Sequence, residues 1–184
     1  MVDGATQSNN AIFIIRPGNK RDFERLSAIK VSATKMFGPD YQTEPLSEKN
    51  FTRFLESDKL RVVVRGKEVC GYSGAFQMDH DLFLLHLFVA TDYQGQGLGK
   101  MLLHETIAQA KAANLKAITL VTSGSAPWNG PFYTKQGFKT LDGEMPSYLR
   151  VLYNEDVAYF HPERPFVKES PLILPRIAMQ MDLT

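Results

Sequence analysis

The segment Val89-Ala90-Thr91-Asp92-Tyr93-Gln94-Gly95-Gln96-Gly97-Leu98-Gly99-Lys100 constrains this chain more than any other. The apolar run Leu82–Ala90 reads as a strand. The chain then turns through three glycines. Beyond them Leu102, Leu103, Thr106, Ile107, Ala110 and Ala113 share one face of a helix that runs to about Asn114. Ala117–Val121 follows as a buried strand. The pattern predicts a strand–helix–strand unit with a glycine-rich entry to its helix. The first amides of such a helix have no intrahelical acceptor and carry partial positive charge. Glycines remove the side chains that would keep an anion away. The turn therefore suits a phosphate or pyrophosphate, with Lys100 as an added charge contact.

Two common phosphate motifs do not fit this text. A P-loop needs glycine where Gln94 stands and Ser or Thr where Met101 stands. The dinucleotide fingerprint needs glycines at its first, third and sixth places. Here they fall at 95, 97 and 99, and position 100 is Lys. A glycine-rich connection without a ligand is the plain alternative.

The rest of the chain supplies the sheet and its cover. Residues 1–10 are polar and read as a disordered start, and 11–184 as a single domain. Ala11–Ile15 reads as a strand stopped by Arg16-Pro17-Gly18. Asn19 or Asp22 is placed to cap a helix running to about Phe37. Gly38–Pro45 reads as a loop and Ser47–Glu56 as a short helix. Leu60–Val64, Val69–Phe76 and Leu82–Ala90 are closely spaced strands, which suggests an antiparallel meander. A short helix is expected over Pro131–Gln136 and a strand over Phe138–Leu141. Pro146–Ala158 has a helical pattern, Pro162–Pro175 reads as irregular, and Arg176–Leu183 alternates as a half-buried strand does. The fold class is α/β (α+β): a mixed, mostly antiparallel sheet flanked by helices.

Composition narrows the function. The formal net charge is +1, which argues against a broad nucleic-acid or anionic-membrane footprint. The one cysteine, Cys70, lies in an apolar stretch and reads as a packed strand residue. A lone thiol fits a reducing compartment. The four histidines (His80, His86, His104, His161) lack zinc-ligand spacing, so no metal is expected. The N-terminus lacks the regions of a signal peptide, and no apolar run approaches a membrane span. The expectation is a cytoplasmic protein with no nucleic-acid or membrane partner. Oligomeric state stays open, a homodimer included.

Gln94-x-x-Gly97-x-Gly99 resembles the R/Q-x-x-G-x-G/A motif of the GNAT N-acetyltransferase superfamily. The strand Leu85–Val89 leads into it as that family's fourth strand does. Downstream, Trp128-Asn129-Gly130-Pro131-Phe132-Tyr133-Thr134-Lys135-Gln136-Gly137-Phe138 is similar to the family's N-x-x-x-(F)Y-x-x-x-G-F block. Ile14-Ile15-Arg16-Pro17 is similar to its first strand, and Ala178-Met179-Gln180-Met181 to the last strand of many members. The ordered resemblance covers roughly residues 11–141.

The resemblance implies an acetyl-coenzyme A site and acetyl transfer to a primary amine by direct attack in a ternary complex. By position, the backbone of Leu87, Phe88 and Val89 would pair with the pantetheine arm. Gln94, Gly95, Gln96, Gly97, Leu98, Gly99 and Lys100 would hold the pyrophosphate. Asn129 would contact the coenzyme arm, and Tyr133 would sit near the sulfur. A small-molecule or peptidyl amine is the expected partner. A non-catalytic acyl-coenzyme A sensor of the same fold is the alternative.

The chemistry sets further requirements. An alkyl amine with a pKa near ~10 must lose a proton before it attacks. The oxyanion needs donors, which backbone N–H groups near Leu87–Val89 would supply. The leaving thiolate can take a proton, a role that suits the Tyr133 hydroxyl; packing beside Phe132 and Phe138 is the other reading. Many family members carry Glu on the fourth or fifth strand, and here both lack it. His86 is the best single base candidate, aimed at the cleft if a bulge turns it there. A hydrogen-bonded histidine on the opposite sheet face, with proton loss through water, is the competing reading. Asp79, His80 and Asp81 read as solvated turn residues. Phe37–Glu44, with Tyr41, and Tyr148–Phe160 are the segments expected to choose the acceptor.

Overall fold

A computed structural model describes residues 12–37, 44–124, 126–143, 145–160 and 176–183. The expectations for residues 1–10, for Tyr41 and for 162–175 lie outside the described residues. In chain order the elements are β1 (Phe13–Pro17), α1 (Phe23–Thr34), α2 (Glu48–Glu56), β2 (Leu60–Arg65), β3 (Glu68–Met78), β4 (Asp81–Val89), α3 (Leu98–Ala112), β5 (Ala117–Ser123), α4 (Asn129–Thr134), β6 (Lys139–Thr140), α5 (Ser147–Phe160) and β7 (Arg176–Asp182). The seven strands form one sheet in the order β1-β2-β3-β4-β5-β7-β6. Every neighbouring pair is antiparallel except β4–β5.

Local chemistry sets the helix starts. Before α1, the Asn19 side chain accepts from the Arg21 N–H at 3.0 Å. The Asp22 carboxylate accepts from the Asn19 N–H at 2.8 Å and holds Arg16 through both oxygens. These contacts occupy amides that a helix start leaves bare. Ser47 caps α2 through the Asn50 N–H at 3.2 Å. The tail of the α1 expectation, Lys35–Phe37, is a tighter 3₁₀ turn.

The sheet is covered on both faces. On β3, a methyl at Gly74 would strike the ring of Phe54 from α2, whereas Ser73 meets Thr106 of α3 at 3.2 Å. Even-numbered positions there face α2 and odd ones face α3. On β4, Leu82 and Leu84 join the core of Leu103 and Ala110 from α3, and Phe83 stacks with Phe76 on the other side. The register then shifts, with Gly74 opposite His86 and Ala75 opposite Leu84, so Leu85 is an extra residue. This bulge reverses the alternation. His86 and Phe88 therefore share the α2 side with Phe83, where both touch Tyr72.

The expected strand over Phe138–Leu141 is shorter than its text. Phe138 is buried in the core beside Tyr133, and only Lys139–Thr140 pair with β7. Cys70 is fully buried, as a packed strand residue should be. Among the described residues no helix is long and apolar enough to cross a membrane.

Candidate active site

Pairing between β4 and β5 runs only from Asp81/Ala117 to Phe83/Thr119. Beyond that point the two strands are not paired with each other. A cleft of about 1030 Å³ is lined by both, from Phe83 to Val89 and from Leu120 to Ser123. A parallel pair that opens in this way leaves strand backbone free to meet an extended ligand.

The glycine turn stands at the Val89 end. A 3₁₀ turn over Thr91–Tyr93 leads in, and its Tyr93 is buried. The Tyr93 hydroxyl donates to Glu68 at 2.7 Å and accepts from Arg65 at 2.7 Å, which fixes the turn to the β2–β3 hairpin. Gly95 and Gly97 have φ of 73° and 80°, a region costly for other residues. A methyl at either would meet nothing within 4 Å. Gly97 is the N-cap of α3 and supplies no side-chain hydrogen bond. The start of α3 thus combines open space with uncapped amides, which suits an anion.

Gln94 turns back on the protein. Its Nε2 donates to the Val89 carbonyl at 3.1 Å and lies 3.7 Å from the Met36 sulfur. Gln96 reaches the Asp92 carbonyl at 3.4 Å. Gln94, Gly95, Gly97, Leu98, Gly99 and Lys100 all line the cleft, as do Leu87, Phe88 and Val89; Gln96 does not.

The opposite wall comes from α4. Asn129 is buried, and its amide nitrogen donates to Thr122 Oγ1 and, at 3.3 Å, to the Ser123 carbonyl. Both of its protons are engaged within the protein, so its carbonyl oxygen is the group left to meet a ligand. Tyr133, buried between Phe132 and Phe138, also lines the cleft. Its hydroxyl has no hydrogen-bond partner among the described residues, and burial raises its pKa well above that of a free phenol. Such a group stays protonated and is available as a donor. At the mouth, Trp128 leans on Phe37 with ring centroids 5.2 Å apart.

His86 lines the cleft from the α2 side. It packs against Phe54 and Phe88, and its Nδ1 lies 3.0 Å from the Tyr72 hydroxyl. Burial first, and the charge of Lys30 second, lower its pKa to about 3. The bulge does aim this ring at the cleft, yet the ring is neutral across the physiological range. That environment argues against His86 storing a proton as a general base.

The structure adds residues that the text did not single out. Lys30, Lys49, Arg53, Lys135 and Arg176 join the expected Lys100 in lining the cleft, against one described acid, Glu44. The described cleft lining is therefore locally basic although the chain as a whole is near neutral. Of the expected acceptor segments, Tyr148 donates to Asp81 at 2.7 Å and lies 3.0 Å from Thr119 Oγ1, tying α5 to the paired end of β4 and β5. Asp81 is thereby a partnered residue rather than a solvated turn residue. Tyr153 donates to the Arg176 carbonyl at 3.1 Å.

Comparison with known proteins agrees with this geometry. Residues 56–140 match the model of the acetyltransferase (GNAT) domain. A GNAT-family acetyltransferase from Staphylococcus aureus superposes with a TM-score of 0.68 at 20% identity, over 94% of this chain and 100% of the other. The PaiA N-acetyltransferase of Thermoplasma acidophilum, solved with coenzyme A, gives 0.63 at 16% identity over 93% and 99%. A GNAT-family acetyltransferase from Elizabethkingia anophelis with acetyl-coenzyme A bound gives 0.61 at 21% identity over 92% and 97%. The matched stretch runs from the end of α2 to β6 and contains the parted strands, the glycine turn and the α4 block, and the fold is that of the GNAT acetyltransferases.

Proposed function

We propose that the chain is an N-acetyltransferase that moves an acetyl group from acetyl-coenzyme A to a primary amine by direct attack in a ternary complex, with residues 11–184 acting as one domain. The observation that carries this reading is the Tyr133 hydroxyl, without a hydrogen-bond partner among the described residues and buried on the wall of a cleft that ends in the glycine turn. In this reading the start of α3 holds the pyrophosphate. The β4 backbone over Leu87–Val89 pairs with the pantetheine arm, and the Asn129 carbonyl oxygen accepts from it. Attack forms the carbon–nitrogen bond, and the carbonyl electrons move to an oxyanion that β4 amides stabilise. Collapse breaks the carbon–sulfur bond, and Tyr133 donates to the departing thiolate. Desolvation raises the pKa of phenol and thiol alike, so the cleft keeps that transfer in reach.

The amine's proton takes another route. With His86 held neutral, water leading out of the open cleft is the acceptor that fits, and His86 serves as a hydrogen-bonding wall fixed by Tyr72. The buried lone thiol of Cys70 fits the cytoplasm as the place of work. Isotope-labelled acetyl-coenzyme A with a panel of amines tests the reading, with labelled amide as the expected product. A second reading, a sensor of acyl-coenzyme A, is favoured by the shortage of carboxylates in the cleft. It predicts cofactor-induced thermal stabilisation without product from any amine.

A further inference from the structure

Proposed acetyl transfer leaves the acceptor unnamed, and the basic side chains along the cleft bear on it. They fall into two sets. Lys100 stands in the first turn of α3, and Lys135 follows Phe132, whose ring would be 3.7 Å from a methyl at Gly99. That pair belongs with the phosphates. Arg53 stands elsewhere, where its guanidinium lies 3.8 Å above the ring of Phe76, which stacks on Phe83 at the paired end of β4. Phe83 and Val89 pair with Phe76 and Gly71, five residues apart on β3, about 17 Å. Arg53 is thus too far from the glycine turn to serve the pyrophosphate. Its guanidinium makes no hydrogen bond or ion pair with a described residue, in contrast to those of Arg16, Arg25 and Arg61, each of which holds a carboxylate. Lys49, one turn before it on α2, also lines the cleft, and Lys30 of α1 lies there with its amine 3.2 Å from the Pro45 carbonyl. Glu44 is the one described acid on this wall.

A guanidinium resting 3.8 Å above a ring is held in place with a planar fork of N–H donors. That fork matches the two coplanar oxygens of a carboxylate. The same surroundings repel an acceptor with a second positive charge. Resting on the acetyl-transfer reading, we propose that the acceptor is an amine that carries a carboxylate, with Arg53 as its docking group and Lys49 and Lys30 supplying the local field. The amine then lies up-cleft of the carboxylate, toward the region between His86 and Tyr133.

The test is kcat/KM across matched acceptors: β-alanine and 4-aminobutyrate, their amides, alkylamines of equal length, phosphoethanolamine, and diamines. The carboxylates should exceed their amides by about 10–100-fold, the range of one charge-assisted contact, with diamines lowest. Arg53→Met keeps apolar cover on Phe76 and should erase the preference; Arg53→Glu should turn it toward diamines. Coenzyme A affinity, read by thermal shift, should hold in both variants and thereby report intact folding. Equal use of amides and carboxylates, a preference for diamines or for phosphoethanolamine, or an unchanged ranking in Arg53→Met overturns the carboxylate assignment and leaves acetyl transfer standing. Absence of product from every amine, with coenzyme A bound, overturns both.

Discussion

The two ends of the cleft are built by different means. At the Val89 end, one continuous stretch of chain makes the site, mostly from backbone: two glycines at positive φ, uncapped amides and a strand edge. At the Phe83 end, side chains from α1, α2, β3 and β4 meet: Lys30, Arg53, Phe76 and Phe83. Backbone recognition tolerates almost any neighbouring side chain, so this end can be held constant while its surroundings vary. Side-chain recognition changes with each substitution. Under the proposed function, the contrast gives the shared co-substrate one end and the choice of acceptor the other.

The sharpest way to test that division is at Tyr133, between the two ends. Tyr133→Phe removes one oxygen and keeps the ring that Phe132 and Phe138 pack against. Turnover should fall by roughly 10²–10⁴ with cofactor affinity unchanged, measured by steady-state kinetics and thermal shift. Restored turnover across the pH range would move the proton donor elsewhere.

Next in size is the backbone end. A methyl at Gly99 would meet only ordinary contacts, the nearest 3.7 Å away, so Gly99→Ala should bind coenzyme A nearly as the parent does. Gly99→Glu adds a negative charge at the anion site and should weaken binding by at least about 100-fold in titration calorimetry. Equal affinities for the two variants would place the phosphates away from α3.

The Phe83 side contributes a pH effect. His86 titrates near 6.5 when unfolded and at about 3 when folded. Below pH 6.5 the unfolded chain therefore binds the extra proton, and stability drops as pH falls toward 3. The loss should reach about 2 kcal/mol by pH 5. His86→Gln keeps a polar partner for Tyr72 without titrating, so its urea midpoint should decline less between pH 7 and pH 5. Parallel declines would mean that His86 is reachable by water. The smallest effect returns to the turn. Gly97→Ala should cost about 1 kcal/mol of stability, since alanine resists a φ of 80°. A neutral result would show the turn relaxing.

What was legible in the text follows the same division. The strand into Val89, the glycine turn, the cap at Asn19 (one of two candidates) and the short helix up to Glu56 are local patterns close to their expected positions, while the helix expected over Pro131–Gln136 starts two residues earlier, at Asn129. The bulge at Leu85 was not legible, because an extra residue in an apolar run alters no local preference. It nevertheless decides which face His86 takes. The basicity of His86 also escaped the text, since burial beside Phe54 and Phe88 is a tertiary fact. Arg53 gave no signal either. On α2 it sits between the buried Phe51 and Phe54, where a charged residue reads as ordinary solvent cover. The place of β7 between β5 and β6 likewise depends on pairing between distant segments.

The contact between Phe37 and Trp128 has a practical use. The chain has a single tryptophan, and it stands at the mouth of the cleft, 41% exposed. Its fluorescence therefore comes from one known place, with no competing indole to subtract. A molecule that enters past it changes the water and the aromatic neighbour that the indole senses, so emission wavelength and quenching by iodide track occupancy of the cleft. The protein carries its own optical gauge, and the affinities of co-substrate and acceptor can be read in succession on unlabelled material.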